Sequence, residues 1–278
     1  MQHNNKYLKL MVLFCLATFM LPTYARDLIL TAPPRETKEE AAKLYGPIAD
    51  HLTKLLGVKV VYQSPGNWLN YQREMRNDVY DIVFDGPHFV SWRIARLGHD
   101  VLVKLPGTLE FYLVKNKGNN TVSVVEDLVG RKFCGIAPPN LSTLTVLDRF
   151  RNPVRQPVIK PIRGGMPKVF KALKDEQCEA AVLRTTFFKK KLKQPERDQL
   201  EILFHSSPLP NQAISVSRRV SPRAKAKILD SLTMGSGVES TRGLVTRFGG
   251  KKAKSFIPAK NDEYQGHNLL LEGVIFGW

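Results

Sequence analysis

Asp85 and His88 flank a Gly86-Pro87 dipeptide, with Phe89 directly after it. Asn140, Ser142 and Thr143 form a second polar group, and Arg184 closes the apolar run Ala180–Leu183. Side chains of these types suit the capture of a small anion. Hydroxyl and amide groups at a helix N-terminus donate hydrogen bonds to an oxyanion, and a guanidinium adds charge in a planar fork. Asp85 fits this set least. A carboxylate repels an anion unless a cation such as Arg184 or His88 neutralises it; otherwise it reads an amine, or accepts the backbone amides of its own turn. His88 beside Asp85 also suits a general base, yet no nucleophile is identifiable with them. No Gly-x-Ser-x-Gly elbow, zinc-ligand pair or phosphate-binding loop occurs. The residues point to binding rather than catalysis, with no metal and no cofactor.

The flanking pattern places these groups at helix starts. Leu28–Thr31, Val58–Tyr62 and Asp81–Phe84 read as strands, separated by helices at 38–56 and Asn67–Arg76. Thr37 is a cap, Glu39 and Glu40 suit the first turn, and Gly57 is a stop. A third helix spans Phe89–Leu97, introduced by the Gly-Pro turn. A second series follows: strands at Phe111–Val114, Lys132–Ala137, Val158–Ile162 and Cys178–Leu183, with helices at Val125–Leu128, Ser142–Phe150 and Pro167–Lys174. Ala213–Val216 reads as a return strand and Pro222–Leu232 as a helix capped by Ser221. This alternation predicts mostly parallel sheets, with ligands held just past strand C-terminal ends.

Composition narrows the setting. Lys6–Lys9, the apolar run Leu10–Leu21 and the small residues Thr23 and Ala25 read as a secretory signal over residues 1–25. The run is shorter than the roughly 20 residues needed to span a bilayer. The formal charge is +17, with lysines and arginines scattered along the chain. That balance suits an acidic partner, a membrane surface or an anionic ligand, although the scattered charges read more plainly as solvated faces; no nucleic-acid recognition motif occurs. Cys134 and Cys178 lie beyond the signal, and an oxidising compartment favours their pairing.

Five segments carry a resemblance. They are Tyr45–Leu52, Asp81–Pro87, Asp127–Lys132, Ser207–Asn211, and Phe256–Ala259 with Tyr264. In order and spacing they resemble the phosphate/phosphite/phosphonate group of ABC-transporter substrate-binding proteins. The resemblance implies an α/β, bilobed type II periplasmic binding protein, two βα lobes joined by two crossing strands. Lobe 1 is expected over 26–108 and 214–278, and lobe 2 over 109–213. It also implies a periplasmic monomer that traps a small anionic, phosphonate- or phosphate-like ligand and delivers it to an ABC permease. The alternative partner is a sensor kinase's periplasmic domain, with no transport. Trp68 sits where the family commonly has an aromatic, and the ligand set expected is Trp68, Asp85, Gly86, Pro87, His88, Phe89, Asn140, Ser142, Thr143 and Arg184. Each of the polar residues and Trp68 also has a plainer reading as a helix cap, a turn acceptor, a surface loop or core. The loops depart from the family pattern: Pro138–Thr143 keeps fewer hydroxyls, and Gly164–Pro167 replaces a Ser-His-Asp loop. In the implied second lobe, the strands bearing Cys134 and Cys178 are parallel neighbours, within disulfide reach.

Overall fold

A computed structural model describes residues 26–152, 154–250 and 252–272. The signal-sequence reading of 1–25 lies outside the described residues.

Two mixed sheets organise the chain. The first contains β1 (Leu28–Thr31), β2 (Val60–Tyr62), β3 (Ile82–Asp85), β4 (Asp100–Lys104), β12 (Ala213–Val216) and β13 (Ile257–Pro258), in the order β13-β4-β12-β3-β1-β2. The second contains β6 (Phe111–Asn116), β7 (Lys132–Gly135), β8 (Val158–Pro161), β9 (Ala180–Arg184) and β10 (Leu200–His205), in the order β10-β6-β9-β7-β8. The β2-β1-β3 and β8-β7-β9 groups are parallel, as the alternation predicts. β12 instead runs antiparallel to both β3 and β4, and β10 antiparallel to β6, so the sheets are mixed. β4 and β10 were not foreseen.

Between the sheets, β5 (Thr108–Leu109) pairs antiparallel with β11 (Leu209–Pro210) where the two connecting segments cross. Asn211 donates to the Pro106 carbonyl at 2.9 Å, and the Tyr264 hydroxyl donates to the Asn211 carbonyl at 2.7 Å. These bonds tie the crossing segments together.

Local signals explain the helices. The first, α1 (Lys38–Leu56), begins with a capping box in which the Thr37 side chain accepts from Glu40 N–H and Glu40 accepts from Thr37 N–H. It ends at Gly57, whose φ of 71° is the left-handed C-cap conformation glycine favours. Asn67 caps α2 (Trp68–Arg76). The next helix, α3 (Pro87–Leu97), starts at the proline itself, two residues earlier than its apolar spacing indicates. Asn140 caps α4 (Leu141–Leu147), which stops short of Phe150. Strand β9 begins at Ala180, so Cys178 lies in the turn before it. Cys134 and Cys178 are bonded, with Cα atoms 5.8 Å apart. Closing a loop of 44 residues stabilises the fold by about 4 kcal/mol in the chain-entropy model.

One apolar cluster spans the two halves. It joins Tyr71, Phe89 and Trp92 to Leu141, Leu144 and Leu147. The halves are therefore packed against each other rather than splayed apart.

Candidate functional site

The parallel strands of both sheets end at a shared cleft. After β3 the chain turns through Gly86 into α3, and after β7 it turns through Ile136–Asn140 into α4. The two turns meet: His88 Nε2 lies 3.1 Å from the Pro139 carbonyl oxygen. A carbonyl only accepts, so Nε2 carries the proton and Nδ1 is left as an acceptor. That Nδ1 is buried and has no hydrogen-bond partner among the described residues. Burial pushes the His88 imidazole down to about 3, and the nearby Arg35 charge acts in the same direction. Gly86 makes the fold-back possible, since a Cβ there would stand 2.9 Å from His88 Cε1.

Asp85 does not sit free in this cleft. It is 0 % exposed, Arg93 Nε donates to its Oδ2 at 2.9 Å, and the Tyr71 hydroxyl donates to its Oδ1. Arg93 is equally buried, also bonds the Tyr71 hydroxyl at 3.1 Å, and lies over the Tyr71 and Tyr80 rings. None of the alternatives open for Asp85, a charge from Arg184 or His88, an amine of the ligand, or the amides of its own turn, names the cation that the fold supplies. That cation is Arg93, eight residues along and on the inward face of α3. A buried carboxylate needs a charged partner, and the helix brings this one to the strand end.

The polar group on the second lobe is also self-satisfied. Asn140 Oδ1 accepts from Ser142 N–H at 3.1 Å and from Ser142 Oγ at 2.7 Å. Thr143 Oγ1 donates to the Ile136 carbonyl at 2.5 Å. Both hydroxyls are buried and spend their protons locally, which is the capping geometry of a helix start. Trp68, partly buried, stacks on Phe89 with ring centroids 6.1 Å apart.

Arg184 differs from all of these. It stands at the C-terminal end of β9, and its Nε is buried with no hydrogen-bond partner. Burial alone pulls its guanidinium down, with no carboxylate opposing the effect. A further arginine near His88 that the sequence reading does not single out is exposed and makes no ion pair among the described residues. Arg35 follows β1, donates from Nη1 to Gln212 Oε1 at 2.7 Å, and lies 4.9 Å above the Phe248 ring. The same rule that singled out Asp85, a polar residue just past a strand's C-terminal end, picks out Arg35. A cavity of about 360 Å³ beside the crossing segments is lined by Thr145, Asp148, Arg149, Ser206 and His267, and the His267 charge also acts on His88.

A protein-family model described as "ABC transporter, phosphonate, periplasmic substrate-binding protein" matches residues 30–264. The chain belongs to this family. Solved structures carry the same fold at low identity. A protein from Xanthomonas citri, solved bound to ATP, has a TM-score of 0.68 at 13 % identity, covering 90 % of this chain and 97 % of that one. PhnD1 from Prochlorococcus marinus, in complex with methylphosphonate, has a TM-score of 0.61 at 16 % identity, covering 88 % and 97 %. A binding component of an ABC phosphonate transporter from Pseudomonas aeruginosa has a TM-score of 0.58 at 16 % identity, covering 86 % and 83 %. No curated protein matches the chain in sequence. The fold is therefore the two-lobed type II periplasmic binding protein fold, and the family's role is that of a transport component that binds substrate. No helix of the described residues is long and apolar enough to cross a membrane.

Two buried histidines of this binding protein set its response to acid. Burial, with help from Arg93 and Arg219, pushes His99 down to about 2, so its 3.5 Å approach to Asp78 is that of a neutral ring. An imidazole whose folded pKa lies below its unfolded value of about 6.5 contributes full stability above that pH. As pH falls, the unfolded chain takes up protons that the folded chain refuses, and stability drops. His88 and His99 together should lower it by up to about 2.7 kcal/mol per pH unit below pH ~6.5. Urea midpoints measured from neutral pH downward test this, and a profile flat to about pH 4.5 would show that both rings charge in place.

Proposed function

We propose that the protein is an exported periplasmic binding protein that closes its lobes on a small oxyanion of the phosphonate or phosphate class and hands it to an ABC permease. The observation that supports this reading is Arg184, a guanidinium at the C-terminal end of β9 whose Nε is buried without a hydrogen-bond partner and which pairs with no carboxylate among the described residues. Leaving such a group unpaired is costly in a folded protein, and an anionic ligand removes the cost. The neutralised Asp85 adds support, because its charge is already answered by Arg93 and does not repel an anion. The leader-like residues 1–25 account for export. Relatives of this fold solved with methylphosphonate and with ATP each hold a phosphorus oxyanion.

The test is a thermal-shift screen of the mature protein against phosphate, phosphite, methylphosphonate, aminoethylphosphonate, sulfate and amino acids. A ligand present at about a hundred times its dissociation constant stabilises by about 2.7 kcal/mol, which raises the midpoint by roughly 5–10 °C in a chain of this size. A shift with a phosphorus oxyanion is the expected result. Shifts confined to amino acids would overturn the reading.

A further inference from the structure

We propose that the outer face of the second sheet, lined by the lysines of two neighbouring helices, is a docking surface for the anionic phospholipid headgroups of a bilayer. The inference goes beyond the ligand reading and does not rest on it.

Packing of the second sheet builds this face. Two further helices are α5 (Met166–Lys174) and α6 (Thr185–Lys191). Side chains alternate along each strand, so neighbours on β6, β7 and β9 point to opposite sides of the sheet. Leu113, Phe133 and Val182 lie in the cluster that joins the two halves. Tyr112, Cys134 and Ala181 lie in a separate cluster with Val169 and Leu173 of α5 and Phe188 of α6. Both helices therefore cover the side of the sheet turned away from the other half. They meet through Phe170 and Phe187, whose ring centroids are 6.5 Å apart.

With their apolar positions turned to the sheet, the helices leave lysines outside. Lys168, Lys171 and Lys174 recur every three residues along α5, and Lys189, Lys190 and Lys191 end α6; all are exposed. Residues 160–197 hold 11 lysines and arginines against 4 acidic residues, so this stretch supplies seven of the chain's 17 net positive charges. Three of those acids are engaged. Asp175 pairs with Lys171 at 2.7 Å, Glu179 accepts from Thr121 and Asn119, and Glu196 accepts from Lys193 N–H. Glu110, the carboxylate that feels the Lys189 charge, accepts from Thr108 and is paired with His205. Lys174 and Lys189 lie over the Phe170 and Tyr112 rings, at 5.8 and 5.7 Å. Lys168, Lys190 and Lys191 pair with no carboxylate among the described residues.

The chemistry of the face fits a lipid surface better than a small ion. Lysine is a compact charge on a flexible stem, suited to many separate phosphate contacts rather than one planar fork. These charges stand on the outside of two helices and not in a pocket. Clustered basic side chains are drawn to anionic headgroups within a screening length of the bilayer. A transport component of this family works beside a membrane, and docking by this face leaves the contacts between the halves uncovered.

Cosedimentation of the mature protein with vesicles tests the assignment, using phosphatidylcholine alone or mixed in equal parts with phosphatidylglycerol. Binding is expected only with phosphatidylglycerol, and should disappear at about 1 M salt, where the screening length falls to about 3 Å. Combining Lys189→Gln, Lys190→Gln and Lys191→Gln should weaken partitioning about tenfold or more, since each basic residue near the surface adds to the attraction. Lys168→Gln with Lys193→Gln should weaken it several-fold, and carries the test should the triple variant fail to fold. A control combines Lys43→Gln, Lys54→Gln and Lys227→Gln, on exposed lysines of helices packed against the first sheet. It removes the same charge and should change partitioning less than about twofold, because those lysines lie off the docking face. Equal losses in the two triple variants would assign binding to net charge and overturn the face. Partitioning that both α5 and α6 variants leave unchanged would do the same. Wild type that ignores phosphatidylglycerol vesicles refutes the lipid assignment, and retention on heparin in that case would indicate a soluble polyanion. Methylphosphonate affinity should be equal in wild type and the lysine variants, so the ligand reading stands or falls separately.

Discussion

Arg93→Ala is expected to lower the unfolding free energy by about 3–5 kcal/mol, which moves the thermal midpoint by roughly 6–20 °C in a chain of this length. The size follows from burial. Asp85 and Arg93 are both 0 % exposed, and among the described residues their pairing is supported by Tyr71 and the Tyr80 ring. Removing the arginine leaves a carboxylate in a site that water does not reach, with one hydroxyl to hold it. Removing both charges should hurt far less, since apolar replacements of similar volume often match a buried pair. Arg93→Met combined with Asp85→Leu should therefore recover most of the loss. Denaturant titration of the single and double variants decides it. A single variant within 1 kcal/mol of wild type would show that Asp85 has another counter-charge or reaches solvent. Ligand affinity gives an independent check. Asp85→Asn should change stability and leave oxyanion affinity nearly unmoved, because the carboxylate faces Arg93 rather than the open cleft.

Arg184→Ala should produce the opposite pattern. Affinity for the bound oxyanion should fall by about 1.5–3 kcal/mol, a factor of roughly 10–150, because a charged hydrogen bond in a partly dry site is lost. Stability of the ligand-free protein should hold or rise slightly, because the substitution removes a desolvated cation that nothing in the fold answers. Calorimetry and urea titration on the same preparation separate the two effects. Unchanged affinity with reduced stability would assign Arg184 to the framework. The contrast between the arginines is physical: one has its carboxylate inside the fold, the other is left without one.

These two arginines also mark where sequence reading stops. Elements governed by nearest neighbours were legible. Thr37 and Ser221 cap their helices as expected, Gly57 supplies the left-handed stop, and Asn140 takes the cap role that was its plainer reading, while Asn67 proves to be the cap rather than the first residue of its helix. The turn at Gly86-Pro87 announced a helix start, and the placement of Asp85–Phe89 and Asn140–Thr143 at helix N-termini followed from it. The disulfide followed from Cys134 and Cys178 together with the neighbouring parallel strands that the family resemblance implies.

What depended on distant pairing was not legible. β4 is a buried apolar run of only three residues and β10 a mixed, largely exposed pattern, and their hydrogen-bond partners lie far away in the chain, at β12 and β6. The partner of Asp85 depended on which face of α3 packs inward, and that is set by the sheet beneath it. Arg35 depended on β1 and β3 being neighbours and on Gln212 returning beside them. Capping and periodicity are written within a turn or two of chain, so the sequence by itself determined the capped helices, the parallel strands and the family. Charge compensation is settled only when separate elements meet, so the tertiary structure decided which ionic groups are satisfied and which remain for a ligand.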